Sequence, residues 1–304
     1  MSREGYSVLR ASRAGPCGRN EPAPKAATSV RAGGYTDTGR KLENQDTFKI
    51  QQMKSTGDLY VSVLDGHGAN GKAVAHQARD LLYEKIERAK DFASDRKTSM
   101  KQACTRTHAA IVNGSIDASL SGTTATYAVI NRAVGELVIG CVGDTRAIIG
   151  RKDASGKMGV AALTRDHNCD DPREAQRVRR AGGKVEPYRS GEQLIGPNRI
   201  WNPGPVQRLP GLCVSRSIGD TFAHSLGCSA EPEIQDIVLT SRDKFLILAS
   251  DGVWDGITNR EAVDIVEQQR DPTRAAKALV KAGLAGMDRN HLEDNATAVV
   301  VYFN

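Results

Sequence analysis

Apolar and polar positions change rhythm along this chain in a way that marks its elements. Leu59–Leu64 is a short apolar run that reads as a buried strand. It stops at Asp65, Gly66, His67 and Gly68, and apolar residues then recur at helical spacing through Val74, Ala78, Leu81, Leu82 and Ile86. The spacing predicts a second amphipathic helix over 97–113, with Met100, Ala103, Cys104, Thr107 and Ile111 on its apolar face. Runs 121–130 and Glu136–Val142 read as a strand hairpin, and 147–151 and 158–163 as further strands. Before them, a glycine-rich polar stretch from Ala32 reads as a loop leading into a strand near 47–51. Residues 170–181 predict a helix, with Pro172 in its first turn and Gly182 and Gly183 ending it. The five prolines of 187–211 suggest a long irregular excursion of the kind that shapes a substrate surface. A strand at 245–249, helices near 259–269 and 272–286, and a closing strand, Ala296–Phe303, complete the chain. Strand follows strand in the middle of the sequence, so antiparallel sheets of an α+β fold are expected rather than a doubly wound parallel sheet.

Charge changes this picture only at the start. Net charge is +6 over 304 residues, but six basic residues against two acidic ones place +4 of it in the first 32. Residues 1–30 are rich in Arg, Ala, Ser, Gly and Pro, lack periodicity and read as a flexible basic tail. Organelle targeting by that tail stays open, and Ser2 after Met1 departs from the N-myristoylation pattern. The near-neutral remainder, with only five Phe, argues against a nucleic-acid partner. No apolar run reaches membrane-spanning length. Six scattered cysteines without a CxxC pair suggest reduced thiols of an intracellular, cytoplasmic or nuclear, protein.

Candidate chemistry lies at strand ends. Leu64-Asp65-Gly66 and Ser250-Asp251-Gly252 share one form, an apolar strand running into Asp-Gly, and Asp294 opens the last strand. Each acid alone also reads as a turn or capping residue. If the strands are neighbours, three carboxylates converge, and such a group requires either raised pKa values or a cation. Oxygen ligands without His or Cys favour Mg²⁺ or Mn²⁺, and a pair of such ions activates water against phosphorus. The run from Gly66 to Lys72 nearly matches a phosphate-binding GxxxxGK[ST] loop, but Ala73 supplies no hydroxyl, so a nucleoside triphosphatase is set aside.

Taken in order, Asn44-Gln45-Asp46, Asp65-Gly66-His67-Gly68, the runs 121–125, 142–147 and 163–167, Ala181-Gly182-Gly183, the run 214–220, the run 250–255 and Asp294-Asn295-Ala296-Thr297 resemble the motifs of the type 2C metal-dependent protein serine/threonine phosphatases. The resemblance runs from about residue 33 to 303. It implies a four-layer α-β-β-α sandwich of two mainly antiparallel sheets flanked by helices, with a catalytic domain filling 31–304. It also implies phosphorylated proteins as substrates and a monomeric state. By position, Asp65 would bridge two Mg²⁺ or Mn²⁺ ions, the Gly66 carbonyl would ligate one, and Asp251 and Asp294 would complete the set. Asp144 and Asp255 would hold a third, weaker ion. A hydroxide bridging the metals would attack phosphorus, with His67 as general acid. Lys41 would grip the phosphate and Asp46 would orient water.

Two positions depart from the family pattern: Lys41 stands where Arg is usual, and Gln45 where Glu is usual. Lys acts as a point charge rather than a two-pronged fork, and Arg40 is an adjacent substitute. The departures motivate a second reading, a catalytically silent pseudophosphatase that binds partners through the same fold.

Overall fold

The alternation in the central strands sorts their side chains onto two faces, and both faces are buried. The computed structural model describes residues 29–204 and 209–303. In chain order the first half holds β1 (Val30–Asp37), β2 (Thr47–Gln52), β3 (Leu59–Leu64), β4 (Gly66–His67), α1 (Gly71–Glu87), α2 (Arg96–Val112), β5 (Gly122–Thr123), β6 (Ala125–Asn131), β7 (Glu136–Val142) and β8 (Arg146–Lys152). There follow β9 (Met158–Ala162), α3 (Pro172–Arg180), β10 (Lys184–Ser190), β11 (Gln193–Trp201), β12 (Pro210–Leu212), β13 (Ile218–Gly219) and α4 (Thr221–Ser225). The chain closes with β14 (Glu233–Val238), β15 (Asp243–Ala249), α5 (Asp251–Trp254), α6 (Asn259–Glu267), α7 (Pro272–Arg289) and β16 (Ala296–Phe303).

Two five-stranded antiparallel sheets result, in the orders β1-β16-β15-β8-β9 and β14-β7-β6-β3-β2. In β3, Val61 and Val63 face the opposing sheet with Leu246, Leu248, Val299 and Val301. Tyr60 and Leu64, one residue out of phase, face Val74, Ala78, Leu82 and Ile86 of α1. In β15, Phe245, Ile247 and Ala249 face Leu279 and Val280 of α7. Three apolar layers separate four structural ones, as the period of 2 in strands and 3.6 in helices requires. The expected four-layer sandwich is therefore present. No described helix is long and apolar enough to cross a membrane.

Two expectations are corrected. The stretch from Ala32 is not a loop at its start: residues 30–37 form β1, paired along its whole length with β16. Its glycines hid it, yet they are what lets it pack, since a Cβ on Gly34 would lie 2.5 Å from the Phe48 ring. The proline-rich 187–211 is not irregular: β10, β11 and β12 make a three-stranded antiparallel sheet, with a register shift beside Pro187. β1 starts at Val30, beside the expected boundary between tail and domain, and residues 1–28 of the expected tail lie outside the described residues.

The small sheet packs on α3 through Val178, Ile200 and Val185, and α3 is tied to the sandwich by a buried ion cluster. The Glu174 side chain is 2% exposed and accepts from Arg177, Arg216 and Ser215 at 2.6–3.1 Å. Arg165 reaches Glu174, Asp171 and Glu233. Burial alone would raise the Glu174 carboxyl, but Arg216, Ser215 and Arg177 hold it well below the usual carboxylate range. A depressed folded pKa contributes stability above the unfolded value and loses it as pH falls. Glu174→Gln is expected to cost about 3–5 kcal/mol at pH 7, because guanidinium groups are left buried without their counter-charge. Urea unfolding checks this: the gap from wild type should narrow as pH drops below about 4, and an unchanged midpoint at pH 7 would contradict the role.

Candidate metal centre

The candidate site forms where both sheets end together, and one turn fixes that geometry. β7 ends the first sheet at Val142 and β8 enters the second at Arg146, so Gly143, Asp144 and Thr145 bridge the two. Gly143 has φ +97°, a conformation open to glycine without strain. The buried His167 holds this turn, with Nδ1 accepting from the Gly143 N–H at 3.2 Å and its own N–H donating to the Gly143 carbonyl at 2.9 Å. His167 had no role assignable from sequence; it is a structural brace.

Asp46 and Asp65 flank the paired ends of β2 and β3, where Thr47 faces Leu64. Asp251 follows β15 at the start of α5, and Asp294 precedes β16. Close approach of these last two depends on Gly252, whose Cβ would sit 1.9 Å from the Asn295 carbonyl oxygen. Gly66 is equally confined, with a Cβ meeting the Gly71 and Gln45 carbonyl oxygens at 2.5 and 2.8 Å. The strand-Asp-Gly repeat thus encodes both an acid and a place where only glycine fits.

Like charges crowd here. Burial pushes the Asp65 carboxyl well above its usual range, and Asp251, Asp46, Asp144 and Asp294 push it further. Asp251 is raised by burial and then by Asp144, Asp294 and Asp255. Asp144 is pushed up to about 7 by burial, Asp166 and Asp255. Asp46 reaches about 6, chiefly through burial, although the Ser250 hydroxyl donates to it at 2.7 Å. Asp255 is raised by burial, with Arg146 opposing. All six expected acids therefore share one electrostatic neighbourhood.

The donor chemistry fits a hard divalent ion. Donors are oxygen only, and Asp46 Oδ1 and Asp251 Oδ1 are buried with no hydrogen-bond partner among the described residues. No three described His, Cys, Asp or Glu side chains are already drawn into a closed ligand group.

The remaining candidates ring the cluster. Lys41 Nζ lies 3.6 Å from Asp294 Oδ1, whereas Arg40 Nε turns away to Asp288 at 3.2 Å. Gln45 Nε2 donates to the Gly68 carbonyl at 2.9 Å, a bond that a glutamate in its place could not donate. His67 Nε2 meets Asp220 Oδ2 at 2.7 Å. Burial pulls the His67 imidazole down, but the Asp220 charge and hydrogen bond outweigh it and the net shift is upward. Asp220 was missed as a functional residue, because 153 positions separate it from His67 in the chain.

The antiparallel two-sheet sandwich has known counterparts. The structure resembles the crystal structure of serine-threonine phosphatase 2C from Toxoplasma gondii, with a TM-score of 0.78 at 23% identity, covering 93% of this chain and 98% of that one. A curated rice relative (Oryza sativa subsp. japonica), "Probable protein phosphatase 2C 64", is 35% identical over 258 residues, 82% of this chain. An Arabidopsis thaliana relative, "Probable protein phosphatase 2C 72", is 32% identical over 260 residues, 81% of this chain and 76% of that protein. The chain spans 59% of the length of the rice relative. The chain belongs to the protein phosphatase 2C family, whose model matches residues 37–291.

If the acids await a cation, adding Mn²⁺ to metal-stripped protein should raise its melting temperature, by about 2.7 kcal/mol of stability at a hundredfold excess over Kd. Asp251→Asn should melt higher than wild type without metal, since one crowded charge is gone, and should lose most of the Mn²⁺ shift. A full Mn²⁺ shift in that variant would remove Asp251 from the ligand set.

Proposed function

We propose that the chain is a protein serine/threonine phosphatase that hydrolyses phosphoserine and phosphothreonine with Mg²⁺ or Mn²⁺. The observation that carries this reading is the convergence of Asp65, Asp251, Asp294 and Asp144, with an orphaned Asp251 oxygen, beside one imidazole and one ammonium. The names of its relatives support the same substrate class.

Asp65, the Gly66 carbonyl, Asp251 and Asp294 would hold two ions, and Asp144 and Asp255 a third. When bound, such ions polarise phosphoryl oxygens and make water nucleophilic near neutral pH. The chain's own residues supply the rest. Lys41 exchanges its contact with Asp294 for the outer phosphate oxygens, which approach a cleft otherwise lined with acids. Asp46 keeps one carboxylate oxygen free of protein partners and can orient the attacking water. His67 gives a proton to the departing serine or threonine oxygen, so no alkoxide has to leave unprotonated. Water attacks phosphorus directly and no phosphoenzyme forms. No described residue favours the silent partner-binding alternative.

His67→Ala should slow phosphopeptide hydrolysis by about 10²–10⁴-fold and an aryl phosphate much less, since a phenolate needs no proton to leave. Equal losses on the two substrates would exclude His67 as the acid. Lys41→Ala should lower kcat/KM on a phosphopeptide by about 10–100-fold, the worth of a charge-assisted hydrogen bond. Arg40→Ala should stay near wild type, because its partner is Asp288 rather than the cluster. The reverse ranking would show that Arg40 is the phosphate ligand.

A further inference from the structure

The Asp220 carboxylate is 3% exposed, and its acceptance from His67 at 2.7 Å is the one hydrogen bond it makes among the described residues. It sits at the N-cap position of α4, where an acid would ordinarily accept from the first-turn amides, yet its side chain makes no such bond. Its backbone is held apart from that role. φ is +48°, and its N–H donates to the Ser121 carbonyl at 2.9 Å. Two further imidazoles lie nearby, His108 and His224, stacked at 4.2 Å. Both are engaged elsewhere: His108 Nδ1 with the Gly219 N–H at 3.2 Å, and His224 Nε2 with the Ser217 carbonyl at 3.1 Å. The carboxylate is thus left to His67.

The fold devotes a three-stranded ladder to this pair. β13 pairs β5, and β5 pairs β4, so that Gly219 faces Gly122 and Gly122 faces His67. The central position has to be glycine, because a Cβ on Gly122 would stand 2.0 Å from Asp220 Oδ2 and 2.9 Å from His67 Nε2. Asp220 and His67 therefore meet through a gap left in the strand between them.

We propose that Asp220 is the positioning residue for His67: it accepts the Nε2 proton of the imidazolium, fixes the ring orientation, and leaves the Nδ1 proton facing the departing oxygen. The proton passes from Nδ1 to the serine or threonine oxygen as the P–O bond breaks, and solvent water reprotonates the ring afterwards. This rests on the reading of His67 as the general acid.

The test uses the full chain with Mn²⁺, a phosphothreonine peptide and p-nitrophenyl phosphate. Asp220→Asn keeps the size of the side chain and tolerates the left-handed backbone. It should lower kcat on the peptide by about 10–100-fold, a part of what general acid catalysis supplies. The aryl phosphate rate and the Mn²⁺ dependence of melting should stay near wild type. Gly122→Ala, which leaves both side chains chemically intact, should give the same substrate-selective loss by forcing them apart. In a His67→Ala background, Asp220→Asn should cost nothing further on the peptide. Equal losses on both substrates, or full additivity with His67→Ala, would overturn the proposal while leaving the acid in place. A His67→Ala variant with no substrate selectivity would overturn the acid and, with it, this role for Asp220.

Discussion

Mutual repulsion among buried carboxylates is the constraint around which this structure is arranged. Asp46, Asp65, Asp144 and Asp251 all have pKa values raised chiefly by burial and further by neighbouring carboxylates. A fold gains nothing from such crowding by itself; the cost falls on the rest of the molecule and is offset by protonation or by a cation. The three apolar layers supply the rigidity that holds the acids together. Asp65, Asp144 and Asp251 follow strands β3, β7 and β15, whose side chains are buried on both faces, so these acids cannot relax outward without moving a core. Glycines at 66, 143 and 252 permit the close approach, and the His167 brace sets the turn joining the two sheets.

The groups that complete the chemistry reach the cluster from outside the sandwich, which makes them adjustable. Lys41 comes from the loop between β1 and β2, and Asp220 from the segment after β13. The Glu174 cluster joins α3 to Arg216 and Glu233, and the small β10-β11-β12 sheet packs on α3 through Val178 and Ile200. A substrate surface built there would keep its place relative to the acids without sharing their core.

The legible parts of the fold were those in which one physical signal dominated. Strand β3 is a short apolar run bounded by Asp65, and helix α1 repeats apolar residues at helical spacing, so both were readable. β1 was read as a loop because Gly33 and Gly34 lower intrinsic strand propensity, while its pairing partner lies more than 250 residues away. The prolines of β10 and β11 masked a ladder that tolerates them at a register shift. The convergence of the acids was legible because strand-Asp-Gly occurs twice and the ordered motifs resemble a family. Asp220 was not, since its role is a single long-range hydrogen bond; the only local trace was an acid placed directly after the glycine at 219. The choice between Arg40 and Lys41 likewise depended on which one faces Asp294 and which faces α7.

The central claim is that these crowded acids serve a hard cation in phosphoryl hydrolysis. It is tested most directly by release of inorganic phosphate from a phosphothreonine peptide by the chain stripped of metal, before and after Mn²⁺ is restored. The account predicts no release above background in the stripped protein, recovery with Mn²⁺, and no recovery in Asp65→Asn. Undiminished release from the stripped protein, or recovery in Asp65→Asn equal to wild type, would contradict it.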